Sequence, residues 1–228
     1  LPKHLVDALV STEDERFYEH SGIDGRGTLR AVMSLGTSGG ASTITQQLAK
    51  LLFHGEGSKF ILFRIVQKAK EWIIAVRLER NYTKQEIMAM YLNTVEFGHN
   101  SYGIKSAAKT FFNKMPSQLK VEESAMLVGL LQAPTRYSPV RNPKNAMVRR
   151  NTVLSQMEKY KFLTEAEYDS IVKLPIKLNF RAEDHNDGLA PYFRETLRLE
   201  LVKWCKEHKK SDGSSYNLYR DGLRIYTT

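Results

Sequence analysis

Residues 39–50 read Gly39-Gly40-Ala41-Ser42-Thr43-Ile44-Thr45-Gln46-Gln47-Leu48-Ala49-Lys50. This is the pattern of a glycine loop feeding a helix. Ser42 or Thr43 can cap the first turn, and the helix is expected to run to about Phe53. On that helix Ser42, Gln46 and Lys50 fall at i, i+4 and i+8, so a hydroxyl, an amide and a cation share one face. A loop of this kind ahead of a helix N-terminus is a ready anion site. The plainer alternative is an N-cap followed by an amphipathic helix.

Outward from this stretch the chain reads almost entirely as helix. Upstream, Pro2 suits a helix start, and Leu5, Ala8, Leu9 and Thr12 recur at helical spacing. Asp24 can cap a helix to about Leu35, and Gly36-Thr37-Ser38-Gly39-Gly40 has the composition of a flexible loop. Downstream, a long helix is expected from Ser58 to about Arg80. Capping boxes, Thr83 with Glu86 and Thr164 with Glu167, mark two later starts. Further helices are expected at 103–112, 117–132, 143–161 and 188–209. Strand pattern occurs only in Leu223-Arg224-Ile225-Tyr226-Thr227. The expected fold class is mainly α.

The chain has 228 residues, 42% of them hydrophobic and 26% charged, an ordinary globular balance with enough length for a full core. Its net charge of +9 points to an anionic partner. The single Cys205 excludes an internal disulfide framework and a multi-cysteine zinc site. The longest apolar run, Ala125 to Leu131, falls far short of the roughly 20 residues of a membrane span. Leu1-Pro2-Lys3 opens directly into helical pattern without an initiator Met or a leader, so the chain is expected to be a piece of a longer protein.

Two further patches carry chemistry. In Glu13-Asp14-Glu15-Arg16-Phe17-Tyr18-Glu19-His20 a continuous helix would bring Glu13, Phe17 and His20 to one face. A carboxylate partly desolvated by an aromatic ring suits general acid/base work. The alternative is a solvated acidic turn with a core histidine. On the long helix Arg64, Lys68 and Glu71 fall at i, i+4 and i+7. Two cations ahead of a carboxylate could clamp a diphosphate, or simply pair within the helix. Phe60-Ile61-Leu62-Phe63 is apolar on every side and flanked by Lys59, Arg64, Lys68 and Lys70, which fits either burial or shallow insertion into a membrane surface.

Taken in order, these patches resemble the signature motifs of the family 51 glycosyltransferases, the peptidoglycan polymerase domains of class A bifunctional penicillin-binding proteins. The motifs are Glu13 to Asp24; Gly40 to Lys50; Gln67-Lys68-Ala69-Lys70-Glu71; Thr83 to Asn93; and Arg149-Arg150-Asn151-Thr152-Val153-Leu154. They span residues 13 to 154. One position departs: the third motif ordinarily opens with Arg-Lys and here opens with Gln67, so its cation would come from Arg64, one turn earlier.

The resemblance implies a lysozyme-like helical head with a smaller membrane-proximal jaw at roughly 25–70, in which Leu29, Val32, Met33, Leu35 and the 60–63 cluster dip into lipid. It implies a glycosyltransferase domain over 1–210, with 211–228 opening a linker toward a covalently linked transpeptidase domain. The implied reaction joins a lipid-linked glycan to the 4-hydroxyl of lipid II, inverting the anomeric centre and releasing polyprenyl diphosphate. Glu13 would be the base and Glu71 the second catalytic carboxylate. Asp14, Phe17, His20, Ser42, Thr43, Gln46, Gln47, Lys50, Arg64, Lys68 and Arg149 would bind substrate. No cofactor is required, although a divalent cation, Mg or Mn, could bridge the diphosphate at Glu71. The expected partners are lipid II, the growing glycan and a membrane surface at the outer face of the bacterial cytoplasmic membrane, where an N-terminal segment would anchor the parent. Nucleic acid is not expected, since basic and aromatic residues are not interleaved. Tyr91 and Asn93 read as fold support. The rival readings are a lytic transglycosylase or other lysozyme-like glycan-cleaving enzyme, and a scaffold that binds lipid II without turnover.

Overall fold

The computed structural model describes residues 1–33, 42–53, 61–181, 191–211, 213–219 and 221–226. The loop expected at 36–40 and the residue Phe60 lie outside them, as do the side chains at 30–33 and 61–63. The chain forms two compact units, Leu1–Ala182 and Glu183–Thr228.

The first unit holds nine α-helices among the described residues: α1 (Lys3–Glu13), α2 (Gly25–Met33), α3 (Ile44–Phe53), α4 (Ile61–Asn81), α5 (Lys84–Thr94), α6 (Ile104–Phe112), α7 (Val121–Leu130), α8 (Pro143–Lys159) and α9 (Glu165–Val172). Both expected capping boxes close: the Thr83 and Thr164 hydroxyls each accept from the backbone N–H three residues on, and Glu86 and Glu167 accept in return. The helix expected over 117–132 is two pieces. Pro116–Gln118 makes a single 3₁₀ turn, and α7 begins at Val121, where the Glu123 carboxylate takes the Lys120 N–H.

The core forms around α7, whose residues from Ser124 to Leu130 are all buried. From Ala125 to Leu130 the helix is apolar on every side, the pattern of a segment buried all round. Against it pack α1, through Leu5, Ala8 and Leu9, and α8, through Val153, Leu154 and Met157. A second packing centre places α3 against both α4 and α5. Arg150, fully buried on α8, donates to the carbonyls of Val172 and Leu174 and so holds the end of α9.

The second unit holds α10 (Pro191–Glu207) as well as the stretch from 211. Cys205 is buried on α10, as expected of a small apolar side chain. Residues 223–226 form no strand among the described residues, because their alternating pattern finds no ladder partner.

Candidate active site

The first motif departs from its expected geometry. Helix α1 ends at Glu13, and Asp14 leaves the helical region with φ −158° and ψ 77°. Glu13, Phe17 and His20 therefore share no helical face. Asp14 explains the break. Its carboxylate accepts from the backbone N–H of Ile44 at 3.0 Å and contacts His20 Nε2 at 3.0 and 3.1 Å. An acceptor drawn to the first turn of α3 satisfies an otherwise unpaired amide there. Phe17 is fully buried in the turn that follows, with the Lys84 ammonium 4.3 Å from its ring centroid. Lys84 also donates to the His20 carbonyl at 2.6 Å and to Glu79 at 2.8 Å, and Glu79 accepts from Thr45 Oγ1 at 2.6 Å. Asp14, Phe17 and His20 thus hold the loop against α3 and α5.

Gly22 is the pivot of that loop. Its φ is +91°, and a Cβ there would lie 2.9 Å from the backbone of Ala75 on α4. Its carbonyl accepts from Thr43 Oγ1 at 2.8 Å and from Gln46 Nε2 at 3.3 Å. The Thr43 hydroxyl also accepts from the Gln46 N–H at 3.1 Å, so Thr43 is the buried cap of α3 and does not line the cleft.

The cleft itself, about 1020 Å³, runs between α3, α4 and α5. Ser42, Gln46, Gln47 and Lys50 line it from the α3 side, and Arg64, Gln67, Lys68 and Glu71 from α4. Both predicted polar stripes therefore face one space. Lys68 Nζ donates to Ser42 Oγ at 2.8 Å and to Glu71 at 3.0 Å. Glu71 is only 5% exposed, so Lys68 supplies the counter-charge its burial requires. Lys50 and Arg64 add two exposed cations, which suits an anionic ligand.

Glu13 is tied to the cleft wall through Gln47, and two helices reach it. Gln47 Nε2 donates to its Oε2 at 3.0 Å, and Arg149 on α8 lies 3.8 Å from its Oε1. Arg149 thus stands beside the first carboxylate, not in the Lys68–Glu71 group. Tyr91, read from the sequence as fold support, lines the cleft and donates its hydroxyl to Gln47 Oε1 at 2.8 Å. Burial first, and then the Glu13 charge, push its phenol far above the usual range, so it stays a donor. The partner of Tyr91 is 44 residues away, and no local spacing signals it. Among the described residues no three His, Cys, Asp or Glu side chains converge as a metal site.

The family model described as Transglycosylase matches residues 1–158. Penicillin-binding protein 1A of Haemophilus influenzae is 38% identical over 232 residues, which cover all of this chain and 26% of that protein. Penicillin-binding protein 1A of Escherichia coli K12 is 37% identical, with 26% of its length covered. Penicillin-binding protein 1A/1B of Bacillus subtilis is 39% identical over 236 residues, with 24% covered. A crystal structure of the Haemophilus protein aligns with 75% of this chain and 21% of its own, at 27% identity and a TM-score of 0.44. The chain spans about a quarter of the length of these curated relatives. On the match over residues 1–158 and on relatives similar over its whole length, the chain belongs to the transglycosylase family.

Proposed function

We propose that the chain is a peptidoglycan glycosyltransferase that polymerises lipid II into β-1,4 glycan, with inversion and release of polyprenyl diphosphate. One observation carries this reading. A single cleft gathers Lys50, Arg64 and Lys68 around the buried Glu71, and Gln47 on its wall holds a second carboxylate, Glu13.

The step has two charge problems, and the two ends of the cleft suit them. Glu13 takes the proton from the acceptor 4-hydroxyl as its oxygen attacks the anomeric carbon. The bond from that carbon to the diphosphate oxygen breaks, and its electron pair leaves with the diphosphate. Preorganised cations lower the energy of that growing charge, which is the part given to Lys50, Arg64 and Lys68. Glu71 keeps Lys68 aimed and, near the reacting carbon, would favour positive charge developing there. Were a divalent cation bound at the diphosphate, Glu71 would be the carboxylate to hold it, and the ion would add positive charge against the leaving group. A glycan-cleaving enzyme has no diphosphate for such cations, and a scaffold without turnover has no need of a braced base.

Exposed apolar side chains stand on the elements within 25–70: Leu29 on α2, Leu51, Leu52 and Phe53 on α3, Ile65 and Val66 on α4. With the basic surplus, they support reading 25–70 as a jaw resting on an anionic membrane surface. No helix among the described residues is long and apolar enough to cross a membrane. For the whole protein we propose action at the outer face of the cytoplasmic membrane beside a linked transpeptidase domain, in keeping with the length and names of the relatives.

The test is incubation of the full-length protein with purified lipid II in detergent, with and without a divalent metal. Polymer with released polyprenyl diphosphate is expected. Fragments cut from finished glycan, or binding without turnover, would overturn the reading.

A further inference from the structure

We propose that Tyr91 is a positioning residue for Glu13, acting through Gln47, and that it leaves Oε1 of Glu13 as the atom that takes the acceptor's proton; this rests on Glu13 being the base of the reaction above.

The direction of the relay follows from what each group can do. An ionised carboxylate only accepts hydrogen bonds, so the Gln47 edge that faces Glu13 must be its NH₂. The opposite edge, Oε1, then faces Tyr91 and can only accept. Tyr91 must therefore donate, and its buried hydroxyl keeps its proton. Were the amide turned over, an oxygen would face the carboxylate at 3.0 Å and the Gln47 NH₂ would face the phenol. Tyr91 thus restrains an amide that, among the described residues, is otherwise held at one end only.

The consequence falls on the two oxygens of Glu13. Oε2 is occupied by the Gln47 N–H. Oε1 faces Arg149 at 3.8 Å, beyond hydrogen-bond reach, and among the described residues accepts no other bond, so its lone pairs can meet an incoming hydroxyl proton. The charged and titratable side chains brought against Glu13 among the described residues are Arg149 from α8 and Tyr91 from α5. Gln47 from α3 is the neutral link between the last of these and the base. Helices α1, α3 and α5 thereby meet on one carboxylate.

The experiment is steady-state polymerisation of lipid II by the full-length protein in detergent, with the parent, Tyr91→Phe, Gln47→Leu, the double variant and Glu13→Gln. Tyr91→Phe is expected to lower kcat roughly 3- to 10-fold, the loss of one neutral hydrogen bond, with KM unchanged. The acid limb of its pH–rate profile should move to higher pH, because a bond favouring the ionised base has been weakened. In the Gln47→Leu background the same change should do nothing further. Equal losses in both backgrounds, or a parent-like kcat and pH profile, would overturn the proposal while leaving the polymerase reading intact. A Glu13→Gln variant as active as the parent would instead overturn the base assignment and the proposal with it. Should Tyr91→Phe fail to fold, Gln47→Leu carries the test alone, and must show both the kcat loss and the limb movement.

Discussion

The Asp14 carboxylate accepts a hydrogen bond from the backbone N–H of Ile44, 30 residues along the chain and 3.0 Å away. One side chain thus closes the C-terminal end of α1's motif onto the first turn of α3. Asp14→Ala removes that acceptor and leaves a buried amide and His20 without it. A loss of about 1–3 kcal/mol is expected, or about 2–4 °C in Tm for each kcal/mol in a domain of this size. Thermal melting checks it, and an unchanged Tm would show that Ile44 finds another acceptor.

Glu13→Gln keeps the shape of the side chain and its acceptor for Gln47, yet cannot take a proton. Polymerisation is expected to fall by about 10²- to 10⁴-fold with the melting temperature retained. The rate of polymer formation from lipid II measures it. Activity within a few-fold of the parent would remove Glu13 as the base.

Lys68→Ala takes away both the partner of Glu71 and a cation of the cleft. Turnover at saturating donor should drop by about 10²- to 10³-fold, the scale of one lost charge-stabilising donor. Lys68→Arg, which keeps the charge, should recover part of it. Initial rates over a donor series would read this, and a kcat equal to the parent's would exclude Lys68 from the leaving-group end.

His99 lies between Phe111 and Phe180, with ring centroids at 5.7 and 5.0 Å, and its Nε2 is 2.9 Å from Ser138 Oγ. Burial, and then the Arg141 charge, hold its imidazole below the ordinary value. The unfolded chain therefore binds the proton more readily. The stability from neutral His99 is complete above the unfolded value of about 6.5 and is lost as pH falls from there through the folded value. His99→Asn suits the backbone φ of 52° and lacks this titration. Denaturant midpoints of parent and variant should converge between about pH 7.5 and about pH 5.5. A constant gap would show that His99 does not titrate differently on folding.

Legibility followed the range of the physics. Thr83 with Glu86, and Thr164 with Glu167, could be read because a capping box is complete within four residues. The two stripes of the cleft, Ser42-Gln46-Lys50 and Arg64-Lys68-Glu71, were legible for the same reason: helical spacing fixes a face. That both stripes face one space is a matter of α3 packing on α4, which the resemblance implied and spacing alone could not. The Glu13-Phe17-His20 face failed because an amide on α3 decides where α1 ends. Arg149 at Glu13 and Tyr91 at Gln47 stayed hidden because their partners lie 136 and 44 residues away.

Gln47 has a meaning for inhibitor chemistry. One of its N–H bonds and one of its oxygen lone pairs are committed, to Glu13 and to Tyr91. The amide is therefore presented to a small molecule in one orientation, and among the described residues a second N–H and a second lone pair have no protein partner. A compound carrying a matching lactam or carboxamide edge could pair with both and would meet a prepaid geometry. A compound presenting the reversed edge, an acceptor toward the Gln47 oxygen and a donor toward its NH₂, would have to turn the amide against the carboxylate, and its affinity should suffer accordingly.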